Sequence, residues 1–390
     1  MTPQARVQAA IDILDAVIAA ATRGGAAADT LIAGYFKARR YAGSKDRRAV
    51  RDLAYRAIRR AGERPVSGRA AMIGLAADDP ALAALFDGAP HGPAPIAEGE
   101  PVARAGIVPT WIAARLSLPP DELPGLLTRA TLDVRLRARD PLERLLAEVP
   151  GAEPLPFGLH GARLPADTQV EQLRLWQAGA FEVQDAGSQL VTRACGAAPG
   201  MTVVDLCAGA GGKTLALADT MAGEGRLIAC DVDRPRLSRL PPRAARAGVE
   251  AEIRLLDGNR EADALTDLRG AVDLVVIDAP CSGTGTWRRN PEARWRLTPE
   301  RLARLVETQG RLLDLAAPLV RPGGAIGYIV CSLLDEEGRA QVNAFLARTP
   351  GWAAATPPLP AGRAHGAGVR LTPASDGTDG FFVARLKRAC

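Results

Sequence analysis

From about Val183 onward the sequence becomes a succession of short apolar runs, each closing on a polar or glycine-rich turn, and no other feature constrains the fold as strongly. The runs are Thr202–Leu206, Arg226–Asp231, Glu252–Leu256, Val272–Ile277 and Ala325–Val330, with helical spacing between them. Buried strands alternating with helices predict an α/β, doubly wound parallel sheet, because parallel strands need helical crossovers and those helices cover both faces. Ligands of such sheets sit beyond the carboxyl ends of the strands. The residues found there are Cys207–Gly212, Asp231, Asp257, Asp278–Cys281 and Cys331, all of them able to bind or react.

The first part of the chain reads differently. Val7, Ile11, Leu14 and Ile18 recur at helical spacing, and no strand pattern interrupts residues 1–86, which predicts an all-helical domain. Asp87–Pro101 is dense in Gly and Pro, so residues 87–104 are expected to form a linker. Residues 105–180 mix helical patterns (Trp111–Leu116, Leu142–Val149) with the alternating run Leu132–Leu136, which predicts a small α/β adaptor ahead of a catalytic domain over 181–390.

Composition narrows the function. Neither a basic apolar leader nor a run of membrane-spanning length is present, so a cytoplasmic protein that contacts no membrane is expected. The six cysteines (195, 207, 230, 281, 331 and 390) form no CxxC pair, which argues against a metal site or a disulfide framework. A net charge of +5 permits nucleic-acid binding without requiring it, and three histidines leave few candidates for a histidine base.

The run Val203–Thr214 reads as a buried strand, a glycine-rich turn and a helix start, an arrangement that lets a ligand approach the backbone. Gly212-Lys213-Thr214 resembles the end of a phosphate loop, but the pattern GxxxxGKT requires glycine at 207, where Cys207 stands. A nicotinamide fold is the fairer competitor, since Asp231 ends the next strand where an acid would hold ribose hydroxyls, yet the GxGxxG spacing is absent. Asp231, Asp257 and Asp278 follow three successive strands. A single acid there would read as a helix cap; three in series fit an adenosyl ligand.

Two cysteines, Cys281 in Asp278-Ala279-Pro280-Cys281-Ser282-Gly283-Thr284-Gly285 and Cys331 in Tyr328-Ile329-Val330-Cys331-Ser332, lie at predicted neighbouring strand ends. Most free cysteines are small buried hydrophobes, and Cys195, Cys230 and Cys390 are read that way. A paired placement has a chemical use: cytosine carbon 5 is a poor nucleophile until a thiolate adds at carbon 6 and makes the ring enamine-like. With these motifs, together with Val183–Leu190, the Cys207–Thr214 turn, Asp231-Val232-Asp233 and Asp379-Gly380-Phe381-Phe382, the chain resembles the Sun/Nop-type (RsmB-like) RNA cytosine-5 methyltransferases over about residues 105–390.

The resemblance implies a Rossmann-like catalytic domain that binds S-adenosyl-L-methionine through Cys207, Ala208, Gly209, Ala210, Gly211, Gly212, Lys213, Asp231, Asp257 and Asp278. It implies that Cys331 adds to the base, that Cys281 assists product release and that Asp278 hydrogen-bonds the cytosine. The helical domain is similar to the NusB-like RNA-binding domain of bacterial rRNA members. Departures are Gly209-Ala210, where the family turn has Ala-Pro, Val330, where threonine is usual, and Arg135-Leu136-Arg137 in the adaptor.

After the Cys281 loop, Thr286–Arg296 interleaves arginines with Trp287 and Trp295; Arg288, Arg289, Arg294 and Arg296 are expected to contact RNA, and packing competes for the tryptophans. The expected protein is a monomeric methyltransferase acting on ribosomal RNA or a ribosomal-subunit precursor. Its rivals are methylation of tRNA, DNA cytosine or protein, and a catalytically silent assembly factor.

Overall fold

The computed structural model describes residues 1–258 and 260–390. Helix α1 (Pro3–Arg23) begins where the Thr2 hydroxyl accepts the Ala5 amide, and it ends at Gly24, whose φ of 75° lets the chain leave left-handed. Its stripe of Val7, Ile11, Leu14 and Val17 is buried in a core shared with α2 (Ala28–Lys37), α3 (Ser44–Arg60) and α4 (Gly68–Ala76). At the crossing of α1 and α4, a Cβ on Gly68 would fall 2.2 Å from the Ile11 carbonyl oxygen, so only glycine permits this approach.

Residues 1–128 and 286–299 form one compact unit, and residues 129–285 and 300–390 form the other. The helical unit thus runs past the expected limit at residue 86. The stretch 87–104, expected as a linker from its Gly and Pro, packs on the helices: Arg69 bonds Glu100 at 2.6 Å, the Ala103 amide donates to Ala70, and Ala103 joins the core. Gly and Pro mark irregular backbone, and irregular backbone can still be anchored by side chains.

In the second unit, β1 (Leu132–Leu136), β2 (Glu153–Pro154), β3 (Gly161–Leu164) and β4 (Phe181–Val183) make an antiparallel sheet in the order β2-β3-β1-β4. The helix Leu142–Glu148 adds Leu145 to the small core of that sheet. The strands β5 (Thr202–Asp205), β6 (Arg226–Asp231), β7 (Glu252–Leu255), β8 (Val272–Asp278) and β9 (Val320–Val330) pair in parallel, in the order β9-β8-β5-β6-β7.

This sheet is mixed rather than wholly parallel. Beyond β9 it continues antiparallel through β13 (Phe381–Arg388), β12 (Gly368–Leu371) and β11 (Arg363–His365), and β10 (Trp352–Ala355) pairs with β13 as well. Chain order reverses at β5, which lies between β6 and β8, and that reversal opens the crevice in which ligands of open α/β sheets bind. Among the described residues, no helix is long and apolar enough to cross a membrane.

Candidate active site

The β5 strand ends on Asp205, and the chain turns through Cys207–Gly211 into the helix Gly212–Thr220. Gly209 and Gly211 sit at φ 53° and 86°, a region costly for other residues, and a Cβ on Gly211 would meet Leu240 at 2.1 Å. Asp231, at the end of β6, accepts the amides of Gly209 and Asp233, each at 2.7 Å. Its carboxylate therefore shapes the turn, and each oxygen keeps a lone pair for a ligand hydroxyl. Arg243 fastens the turn from the other side, donating to the Ala210 carbonyl at 2.6 Å while paired with buried Glu182.

Asp205 is fully buried; it accepts from Thr214 at 2.6 Å, and its other oxygen has no hydrogen-bond partner. Burial pushes its carboxyl up to about 7. Asp257 lies exposed beyond β7. Lys213 points not toward open solvent but to Asp278, Nζ to Oδ2 at 2.8 Å. Burial, the largest influence, would lower the Lys213 ammonium, but Asp278 outweighs it and holds the lysine above its ordinary value.

Cys281 follows β8 and Cys331 follows β9, and because these strands are parallel neighbours their ends bring the two sulfurs to 3.3 Å. The Cys331 sulfur, together with burial, pushes the Cys281 thiol well above its usual range. The two loops are also tied by backbone, the Gly285 amide donating to the Cys331 carbonyl at 3.0 Å. Gly285 in turn touches Gly380: a Cβ on Gly285 would stand 2.0 Å from the Gly380 carbonyl oxygen. The motif Asp379–Phe382 thereby closes over the cysteine loop.

Several residues of this site carry no signal in the sequence. Glu337, fully buried, accepts from the amides of Ser282 and Gln309 and from the hydroxyls of Ser282 and Ser332. In an Asp-Glu-Glu-Gly run it reads as a solvated turn, and only the fold places it behind the cysteines. His365 stands in β11 with its Nε2 2.5 Å from Asp335.

The arginines expected on RNA have a different disposition within the helical unit. Arg294 is 0% exposed and donates to the carbonyls of Ile58, Arg59, Ala61 and Pro291, so it caps the end of α3 rather than meeting solvent. Arg296 donates to the carbonyls of Gly25 and Ala26. Arg288 is buried, and Arg289 is half-buried. Trp287 and Trp295 are buried too, with the Trp295 indole bonded to the Ala61 carbonyl at 3.0 Å. An arginine-tryptophan run that looks like a base-stacking surface is here, for Arg294 and Trp295, an internal clamp.

A chain reversal at β5, a glycine turn braced by Asp231 and a row of acids at strand ends define a Rossmann-like, S-adenosylmethionine-dependent methyltransferase. The family model "16S rRNA methyltransferase RsmB/F" matches residues 196–387. The ribosomal RNA small subunit methyltransferase B of Xylella fastidiosa is 37% identical over 295 residues, covering 71% of this chain and 68% of the relative. The same-named protein of Salmonella arizonae is 37% identical over 227 residues, and the match spans 57% of this chain but only 51% of that relative. The chain belongs to the RsmB/F family of RNA methyltransferases. The crystal structure of PH0851 superposes with a TM-score of 0.78 at 22% identity, covering 100% of this chain and 99% of that one, and so shares the fold along the whole length.

Proposed function

We propose that the protein forms 5-methylcytosine in small-subunit ribosomal RNA, in the cytoplasm, through a covalent bond between Cys331 and carbon 6 of the base. The observation that carries this reading is the pair of sulfurs 3.3 Å apart at neighbouring strand ends beside the glycine turn. Cofactor chemistry enters at one point: S-adenosylmethionine, when held by Cys207–Lys213 with Asp231 and Asp257, supplies the methyl group. Cys331 is the attacking sulfur, its thiol proton passing to solvent as the bond to carbon 6 forms, while the Cys331 sulfur 3.3 Å away and burial hold the Cys281 thiol above its usual range. Addition at carbon 6 raises electron density at carbon 5, where the methyl group is accepted. Asp278, anchored by Lys213 at 2.8 Å, is positioned to hydrogen-bond the ring. Cys281 releases its thiol proton to solvent once the bond at carbon 6 has formed, and its thiolate takes the proton from carbon 5. The electron pair left there re-forms the ring double bond as the bond from carbon 6 to Cys331 breaks and Cys331 leaves as a thiolate.

The test is transfer of labelled methyl from S-adenosylmethionine to 16S ribosomal RNA, followed by digestion to nucleosides. Label in 5-methylcytosine is expected; label in another nucleoside, in protein, or in tRNA alone would overturn the reading.

A further inference from the structure

We propose that Glu337 is a positioning residue: one buried carboxylate holds the Cys281 loop and the Cys331 loop together and thereby sets the sulfur separation on which the two-cysteine chemistry depends. Its functional consequence rests on the two-cysteine reading of the site, but its geometry does not. Glu337 Oε1 accepts the Ser282 amide at 2.8 Å and the Gln309 side-chain amide at 3.0 Å. Its Oε2 accepts the Ser332 hydroxyl at 2.5 Å and the Ser282 hydroxyl. Ser282 follows Cys281 and Ser332 follows Cys331, so each cysteine is one residue from a contact with the same carboxylate.

The arrangement is costly and complete. Glu337 is 0% exposed, and the four hydrogen bonds occupy both of its oxygens, all from neutral donors. A carboxylate buried among neutral groups survives only when its hydrogen bonds are all made, and a methyl or methylene would fill the same space without that cost. Its backbone is pinned as well, the Tyr328 hydroxyl donating to the Glu337 carbonyl at 2.7 Å. Gln309 spans from Glu337 to the carbonyl of Pro280 at 3.0 Å, so the residues on both sides of Cys281 are tied into the network. Thr284 and Ser332 close it with hydroxyls 3.2 Å apart.

Phenylarsine oxide reads this geometry without any methyl transfer, because the arsenical forms two arsenic-sulfur bonds to neighbouring thiols and releases its oxygen as water with their two protons. The full chain should bind it, and Cys281→Ala should not. In Glu337→Ala the arsenical affinity is expected to fall at least tenfold. Methyl transfer should lose about 100-fold in kcat, the scale of a misplacement near 1 Å, with S-adenosylmethionine affinity unchanged within threefold. Glu337→Gln, which keeps the shape and one acceptor, should recover most of both losses. A role in stability alone would lower unfolding resistance and leave arsenical affinity and kcat as in the wild type, and that result overturns the proposal. Should Glu337→Ala fail to bind cofactor, Ser332→Ala replaces it, with weaker arsenical binding and lower kcat expected and wild-type values for both overturning the proposal. If the wild type makes no 5-methylcytosine while the arsenical difference persists, the functional reading fails and the positioning role stands.

Discussion

Asp205 is a carboxyl whose charge the fold disfavours. It sits under the glycine turn with one oxygen bonded to Thr214 and the other without a hydrogen-bond partner, and burial pushes its carboxyl from an ordinary 3.8 up to about 7. A carboxyl raised on folding favours the protonated folded state, so its contribution is complete below about pH 4 and is lost as pH rises through 7. At about 1.4 kcal/mol per pH unit, the wild type gives up on the order of 3 kcal/mol between pH 5 and pH 8 through this group. Asp205→Asn should flatten that dependence, and urea unfolding at the two pH values checks it. An equally steep loss in the variant would mean that another group is responsible. Cys281, Cys331, Asp231 and Asp278 are legible in the sequence because each stands at or just past the end of an apolar run, where a parallel sheet presents side chains to a ligand. Glu337 is not, since nothing in a polar turn announces that it will be folded inward onto two serines.

At the scale of elements, the five parallel strands are readable because burial on both faces makes each a continuous apolar run. The antiparallel extension is harder to see: β10, β11 and β12 are three or four residues long, and Arg363 and Arg370 interrupt them. Their pairing with β13 supplies what their own pattern lacks. That same β13 follows the Gly380 turn on which the cysteine loop rests. Gly285→Ala would drive a Cβ to within 2.0 Å of the Gly380 carbonyl oxygen, and backbone cannot yield as a flexible side chain can. The variant is expected to lose about 1–3 kcal/mol of stability, the usual range for overpacking, as read by urea unfolding. Wild-type stability would show that the two loops are not in contact.

Across the whole molecule, chain order and spatial grouping part company. Residues 286–299 lie between the cysteine loop and β9 in sequence but belong to the helical unit, where Arg294 and Trp295 bond the carbonyls that end α3. Periodicity describes neighbours in sequence, so it cannot show that Arg294 bonds the carbonyl of Ala61, 233 residues earlier. A boundary drawn at residue 86 therefore divides a unit that the structure keeps together. What the sequence does carry across that distance is the chemistry of the second unit, and the division of labour between its two cysteines is the central claim. Incubating Cys331→Ala and Cys281→Ala separately with ribosomal RNA and S-adenosylmethionine, then resolving the products by denaturing electrophoresis, tests it most directly. An RNase-sensitive protein-RNA band from Cys281→Ala, with neither band nor turnover from Cys331→Ala, is the expected result. A band from Cys331→Ala and none from Cys281→Ala would reverse the two roles, and full activity in both variants would contradict a covalent mechanism at this site.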